Sequence, residues 1–60
     1  YKRALVVVNA LRGVTMLVDA TSQAPPTDTI KLIKELQQDP VAEIRSSASA
    51  VIKKINRIEG

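Results

Sequence analysis

The chain has 60 residues, 45% hydrophobic and 25% charged, and its nine Lys and Arg against six Asp and Glu give a formal net charge of +3. That balance belongs to a folding chain and excludes disorder as the starting expectation, but the length falls below the usual size of an independently stable domain. Cys, His, Phe and Trp are all absent, so no disulfide framework and no His/Cys zinc site braces the fold, and the core lacks large rings. The expectation is therefore a chain that needs neighbouring structure to complete its core. Tyr1 in place of Met fits an excised or processed piece.

The first predicted element is a helix over residues 1–20. Ala4, Leu5, Val8 and Leu11, then Val14, Leu17 and Val18, recur at helical spacing, and Val6, Val7 and Ala10 fill the other faces. The Val6-Val7-Val8 run also suits a buried strand, but its Ala and Leu flanks and the lack of a strand partner favour helix. Asn9, Arg12 and Gly13 interrupt the apolar stretch short of the roughly 18 residues of a membrane span, so no membrane span is expected. Gly13 costs about 1 kcal/mol against Ala inside a helix and predicts a kink or a close helix crossing.

Residues 21–27 read as a loop, because Pro25 and Pro26 are excluded from a helix interior and push the residues before them towards extended geometry. A second helix over 27–38 follows, capped by Thr27 and with Asp28 in its first turn. Ile30, Ile33 and Leu36, joined by Leu32, form its apolar stripe. Asp39 then reads as the N-cap of a third helix over 40–58, with Pro40 at its first position and Glu43 in its first turn. Ile44, Ala48, Val51, Ile52, Ile55 and Ile58 make one continuous apolar face. Lys53, Lys54 and Arg57 fall near its end, and Gly60 is placed to terminate it. The join between the second and third helices is short enough to force a hairpin or a sharply angled pair.

Laying Arg3 over Arg45 gives an offset of 42 residues, within the 40–47-residue period of two-helix solenoid repeats. The stretch from Leu36 to Ala48 sets an Asp at a turn, an aliphatic-Arg pair at Ile44-Arg45 and small residues after it, with Ile52 and Ile55 at later aliphatic positions. It resembles a HEAT repeat. The resemblance implies an all-α, armadillo-like solenoid of about one and a half repeats: residues 1–20 as the second helix of a preceding unit and 27–60 as one complete unit. It also implies that Asp39 and Arg45 bridge adjacent repeats. The aliphatic Leu5 to Val8 departs from the family's usual small residues, and the Pro frequent in the first helix of such repeats is absent. The order of Lys2-Arg3-Ala4-Leu5, Leu11-Arg12-Gly13, the proline loop, Asp39-Pro40 and Ile44-Arg45 also resembles the carboxy-terminal HEAT repeats of transport-and-Golgi-organisation proteins, which implies a link to nuclear import and secretory traffic.

Little catalytic chemistry is on offer. Without His or Cys the usual base and thiol nucleophile are missing, no carboxylates pair convincingly, and two glycines cannot make a phosphate-binding loop. No enzyme activity, cofactor or metal is expected. Ser46, Ser47 and Ser49 suit close helix packing better than phosphorylation. The leading expectation is a non-catalytic scaffold segment, intracellular and cytoplasmic, whose partners are another protein or further repeats of a parent chain. The alternative is a self-contained three-helix module that binds nucleic acid or acidic partners through Lys53, Lys54 and Arg57. Against a helix-turn-helix reading, Pro40-Val41-Ala42-Glu43 offers nothing that reads bases.

Overall fold

A computed structural model describes residues 2–59; the expectations for Tyr1 and Gly60 lie outside the described residues. Three helices follow in order, α1 (Lys2–Thr21), α2 (Thr27–Leu36) and α3 (Ala42–Glu59), and no strand occurs among the described residues. The fold is all-α, and the triple-valine run lies in unbroken helix.

Helix α1 ends because Ser22 turns left-handed, with φ 55°. Its N–H donates to Val18 O at 2.8 Å, closing the last turn. Thr21 Oγ1 donates to Leu17 O at 2.9 Å and accepts from Gln23 N–H, which binds the loop to the helix end.

The start of α2 departs from the expectation. Thr27 is not the cap but the first helical residue. Pro26, extended at φ −55° and ψ 153°, is the cap, and it offers no side-chain acceptor. Its carbonyl accepts Ile30 N–H at 3.1 Å, so the proline's fixed φ launches the helix directly and leaves Asp28 to supply the first-turn charge. The helix also stops two residues early, at Leu36. From there Gln37, Gln38 and Asp39 donate to Lys34, Glu35 and Leu36 in i→i−3 bonds that tighten the chain into a turn.

Helix α3 begins two residues later than expected. Asp39 does not cap it: Val41 O accepts the N–H groups of Ile44 and Arg45, each at 3.1 Å, and Pro40 lies in the bend before it. Asp39 shapes that bend instead, accepting Val41 N–H on Oδ2 at 2.9 Å, an arrangement that suits an Asp two residues upstream of a turn amide.

The core runs where α1 and α2 meet α3. Leu11 of α1, Ile33 of α2 and Ala48, Val51 and Ile55 of α3 are buried together, with Val7, Val14, Ile30, Leu36 and Ile52 packed around them. The α3 stripe is buried as its spacing foretells at Ile44, Ala48, Val51 and Ile55, whereas Ile58 is exposed. On α1 only Leu11 and Val18 are buried, and Leu5, Val6, Met16 and Leu17 each remain more than 60% exposed. Gly13 lies on that outer side. A Cβ built there meets nothing within 4 Å among the described residues, so the close crossing expected at Gly13 is not made within this chain.

Candidate functional site

Among the described residues the most heavily bonded side chain is that of Asp39, the one buried charged residue, 7% exposed at the turn between α2 and α3. Burying a carboxylate is costly unless it is paired and hydrogen-bonded. Here the turn amide of Val41 supplies one bond. The charge is met from 36 residues away: Arg3, in the first turn of α1, gives Nη2 to Oδ1 at 2.5 Å and Nη1 towards Oδ2 at 3.4 Å. The guanidinium stays 59% exposed and folds down over the buried acid. With the Arg3 hydrogen bond as the largest cause and the Val41 amide next, the Asp39 carboxyl is held below its ordinary range despite its burial. Arg3 is correspondingly raised, by the hydrogen bond and charge of Asp39.

Arg45 does not join the Asp39 side chain. Its Nη1 donates to the backbone carbonyls of Asp39 at 2.7 Å and Pro40 at 2.9 Å, which fastens the turn from below. Asp39 therefore receives two arginines in different ways, Arg3 on its carboxylate and Arg45 on its carbonyl. Sequence reasoning missed Arg3 as the partner. The one sequence signal was the 42-residue offset that aligns Arg3 with Arg45.

Beside Arg45, α3 presents small side chains outwards. Ala42 and Ser46 are exposed and Ser49 is half-buried. With Gln37, Arg45, Ala50 and Lys53 they line an open concavity of about 610 Å³. Small residues along one helix side let a second helix come close.

The basic trio at the other end of α3 is not a single patch. Lys54 Nζ is bonded to Asp19 Oδ2 at 2.7 Å, tying α3 to the end of α1. Only Lys53 and Arg57, four residues apart, remain together on an exposed face. No group of three metal-ligating side chains occurs among the described residues. Helix α1 has 20 residues and holds an 18-residue window of mean hydropathy 1.5, long and apolar enough to cross a membrane by length and composition, and it packs against α3. Comparison with family models, with curated proteins and with solved structures finds no match for this chain.

Proposed function

We propose that the chain is a non-catalytic segment of a HEAT-type α-solenoid that builds a protein-binding or scaffolding surface. The observation that carries this reading is the Arg3–Asp39 tie. It links a helix to the turn of the following helix pair, and the arginine lies 42 residues before its counterpart Arg45. In that arrangement α1 is the second helix of one unit, α2 and α3 form the next, and a buried acid in each turn is met by the arginine of the unit before. The small-residue side of α3 around Ala42, Ser46 and Ser49 is then the seat of the following unit, with Arg45 placed to meet its acid. Stacked units cover one another's apolar faces, which accounts for a 60-residue chain that leaves large aliphatic side chains in solvent. A role in intracellular transport remains part of this proposal through the weaker resemblance alone.

Extending the chain tests it. A second copy of residues 19–60 appended after Gly60 continues the same 42-residue register and sets the copied Asp39 where Arg45 can reach it. The extended chain is expected to melt in one transition at a higher midpoint than the 60-residue chain, and Arg45→Ala is expected to lower that midpoint more in the extended chain than in the short one. Two independent transitions, or an equal effect of Arg45→Ala on both, would overturn the reading.

A further inference from the structure

The 42-residue register lets the sides of α1 and α3 be compared position by position. The side of α1 that packs on the α2–α3 pair holds Val7, Leu11 and Val14, with Leu11 in the core cluster and the two valines packed against it. Their counterparts on α3 are Ser49, Lys53 and Asn56. An apolar ridge on α1 is thus a polar one on α3. A neighbour that covered α3 as α2 and α3 cover Leu11 would set the Lys53 ammonium among aliphatic side chains, which is costly unless a carboxylate meets it.

The charges on this side of α3 are of one sign. Arg45, Lys53 and Arg57 are all exposed, and no acidic side chain lines the concavity beside Arg45 and Lys53. Among the described residues neither Lys53 nor Arg57 enters an ion pair, whereas Lys54 is taken by Asp19. In the joint that the chain contains, the arginine of this register, Arg3, meets a buried carboxylate. The two further cations have no counterpart on α1, where Leu11 and Thr15 stand in their places. Between Arg45 and Lys53 come Ser46, Ser49 and Ala50, small enough for a helix backbone to approach. Phosphate contacts need no such approach, since long cationic side chains reach them alone, so the small residues favour a helix over a nucleic-acid backbone.

We infer that this side of α3 takes a helix bearing a line of carboxylates opposite Arg45, Lys53 and Arg57, and forms a polar, salt-sensitive joint where α1 forms an apolar one. From Arg45 to Arg57 the line spans about 18 Å at 1.5 Å per residue, so the matching carboxylates fall within about four turns of the partner helix. The inference deepens the solenoid reading, on which its register rests, by giving the chemistry of what seats on α3. An appended copy satisfies Arg45 but sets apolar side chains against Lys53, so its gain comes from the Arg45 end.

Binding of a designed helix to the 60-residue chain tests the seat. The probe is an alanine-rich helical peptide of about 16 residues with Glu at every fourth position, and its control carries Gln in place of Glu. Amide NMR shifts locate the contact, which is expected at Ser46, Ser49 and Lys53. At about 50 mM NaCl the Glu peptide is expected to bind at least about fivefold tighter than the Gln peptide, a preference that shrinks at about 0.5 M. Lys53→Gln with Arg57→Gln is expected to abolish the preference. Lys2→Gln with Lys31→Gln removes the same charge from exposed positions outside the concavity and is expected to keep it. All four positions are exposed, and circular dichroism checks that helix content is unchanged. No binding, equal binding of the two peptides, an equal loss in both double variants, shifts confined to other helices, or tighter binding of a DNA duplex at the same residues would each overturn the inference. The solenoid reading is tested instead by Arg45 in the extended chain, so the two fail separately.

Discussion

Helices α1 and α3 are of similar length and pack along each other, yet they use their apolar residues in opposite ways. Helix α3 keeps them in one stripe and buries Ile44, Ala48, Val51 and Ile55. Its other sides carry Arg45, Ser46, Lys53, Asn56 and Arg57. Helix α1 spreads them round its circumference, and within this chain only Leu11 and Val18 are buried. A stripe states which face is covered; an apolar circumference states that more than one face is to be covered. Among the described residues α1 packs against α3, and Leu5, Val6, Met16 and Leu17 are left exposed on its remaining side.

The contrast is sharpest at single aliphatic side chains. Ile44→Ala removes a side chain with no exposed surface and is expected to cost about 2–5 kcal/mol, enough to unfold much of so small a domain. Leu5→Ala, which truncates a side chain that is 61% exposed, is expected to stay within about 0.5 kcal/mol. Urea melts of the two variants check the pair, and equal losses would erase the distinction between the helices.

Next in size is the tie that holds the two helices in register. Asp39→Asn keeps the shape of the side chain but loses the charge that Arg3 meets, and a lower thermal midpoint is expected, with a smaller drop than for Ile44→Ala. The pH dependence follows the same group. Because Asp39 is held below its ordinary value in the folded chain, its contribution is fully present above the unfolded carboxyl range near pH 4 and is lost as pH falls through the depressed folded value. The wild-type chain should therefore lose stability below about pH 4 more steeply than Asp39→Asn. Parallel pH profiles would show that the buried carboxylate is not linked to folding.

The smallest expected effect is at the end of α1. Ser22 holds a left-handed backbone with φ 55°, where glycine carries no Cβ penalty. Ser22→Gly is expected to stabilise the chain by about 0.5–1 kcal/mol. A loss of stability would mean that the Ser22 side chain contributes something its backbone position does not require.

Much of the fold was legible because its signals were local. Periodicity named three helices, and the paired prolines named the loop. The boundaries slipped where two local rules competed. Thr27 and Asp39 are both good caps by type, but Pro26 begins α2 one residue before the threonine can cap it, and the i→i−3 turn after Leu36 carries Asp39 away from the helix it was expected to start. The junction was half legible. Asp39 stood out as a turn acid and Arg45 as its companion by resemblance, but the side chain that meets the carboxylate comes from the first turn of α1, and no local rule spans 36 residues. Only the 42-residue offset in the sequence pointed there, by aligning Arg3 with Arg45. The basic trio divided for a similar reason, since Asp19 reaches Lys54 from another helix.

The central claim is that Arg3 and Asp39 join α1 to the α2–α3 pair. Its most direct test is the titration of the Asp39 carboxyl carbon by NMR in the wild-type chain and in Arg3→Ala. The expected result is a pKa below the ordinary aspartate range in the wild type that moves upwards when Arg3 is removed, with the Val41 amide leaving part of the depression in place. An ordinary value in the wild type, or a depressed value that Arg3→Ala leaves unchanged, would contradict the joint.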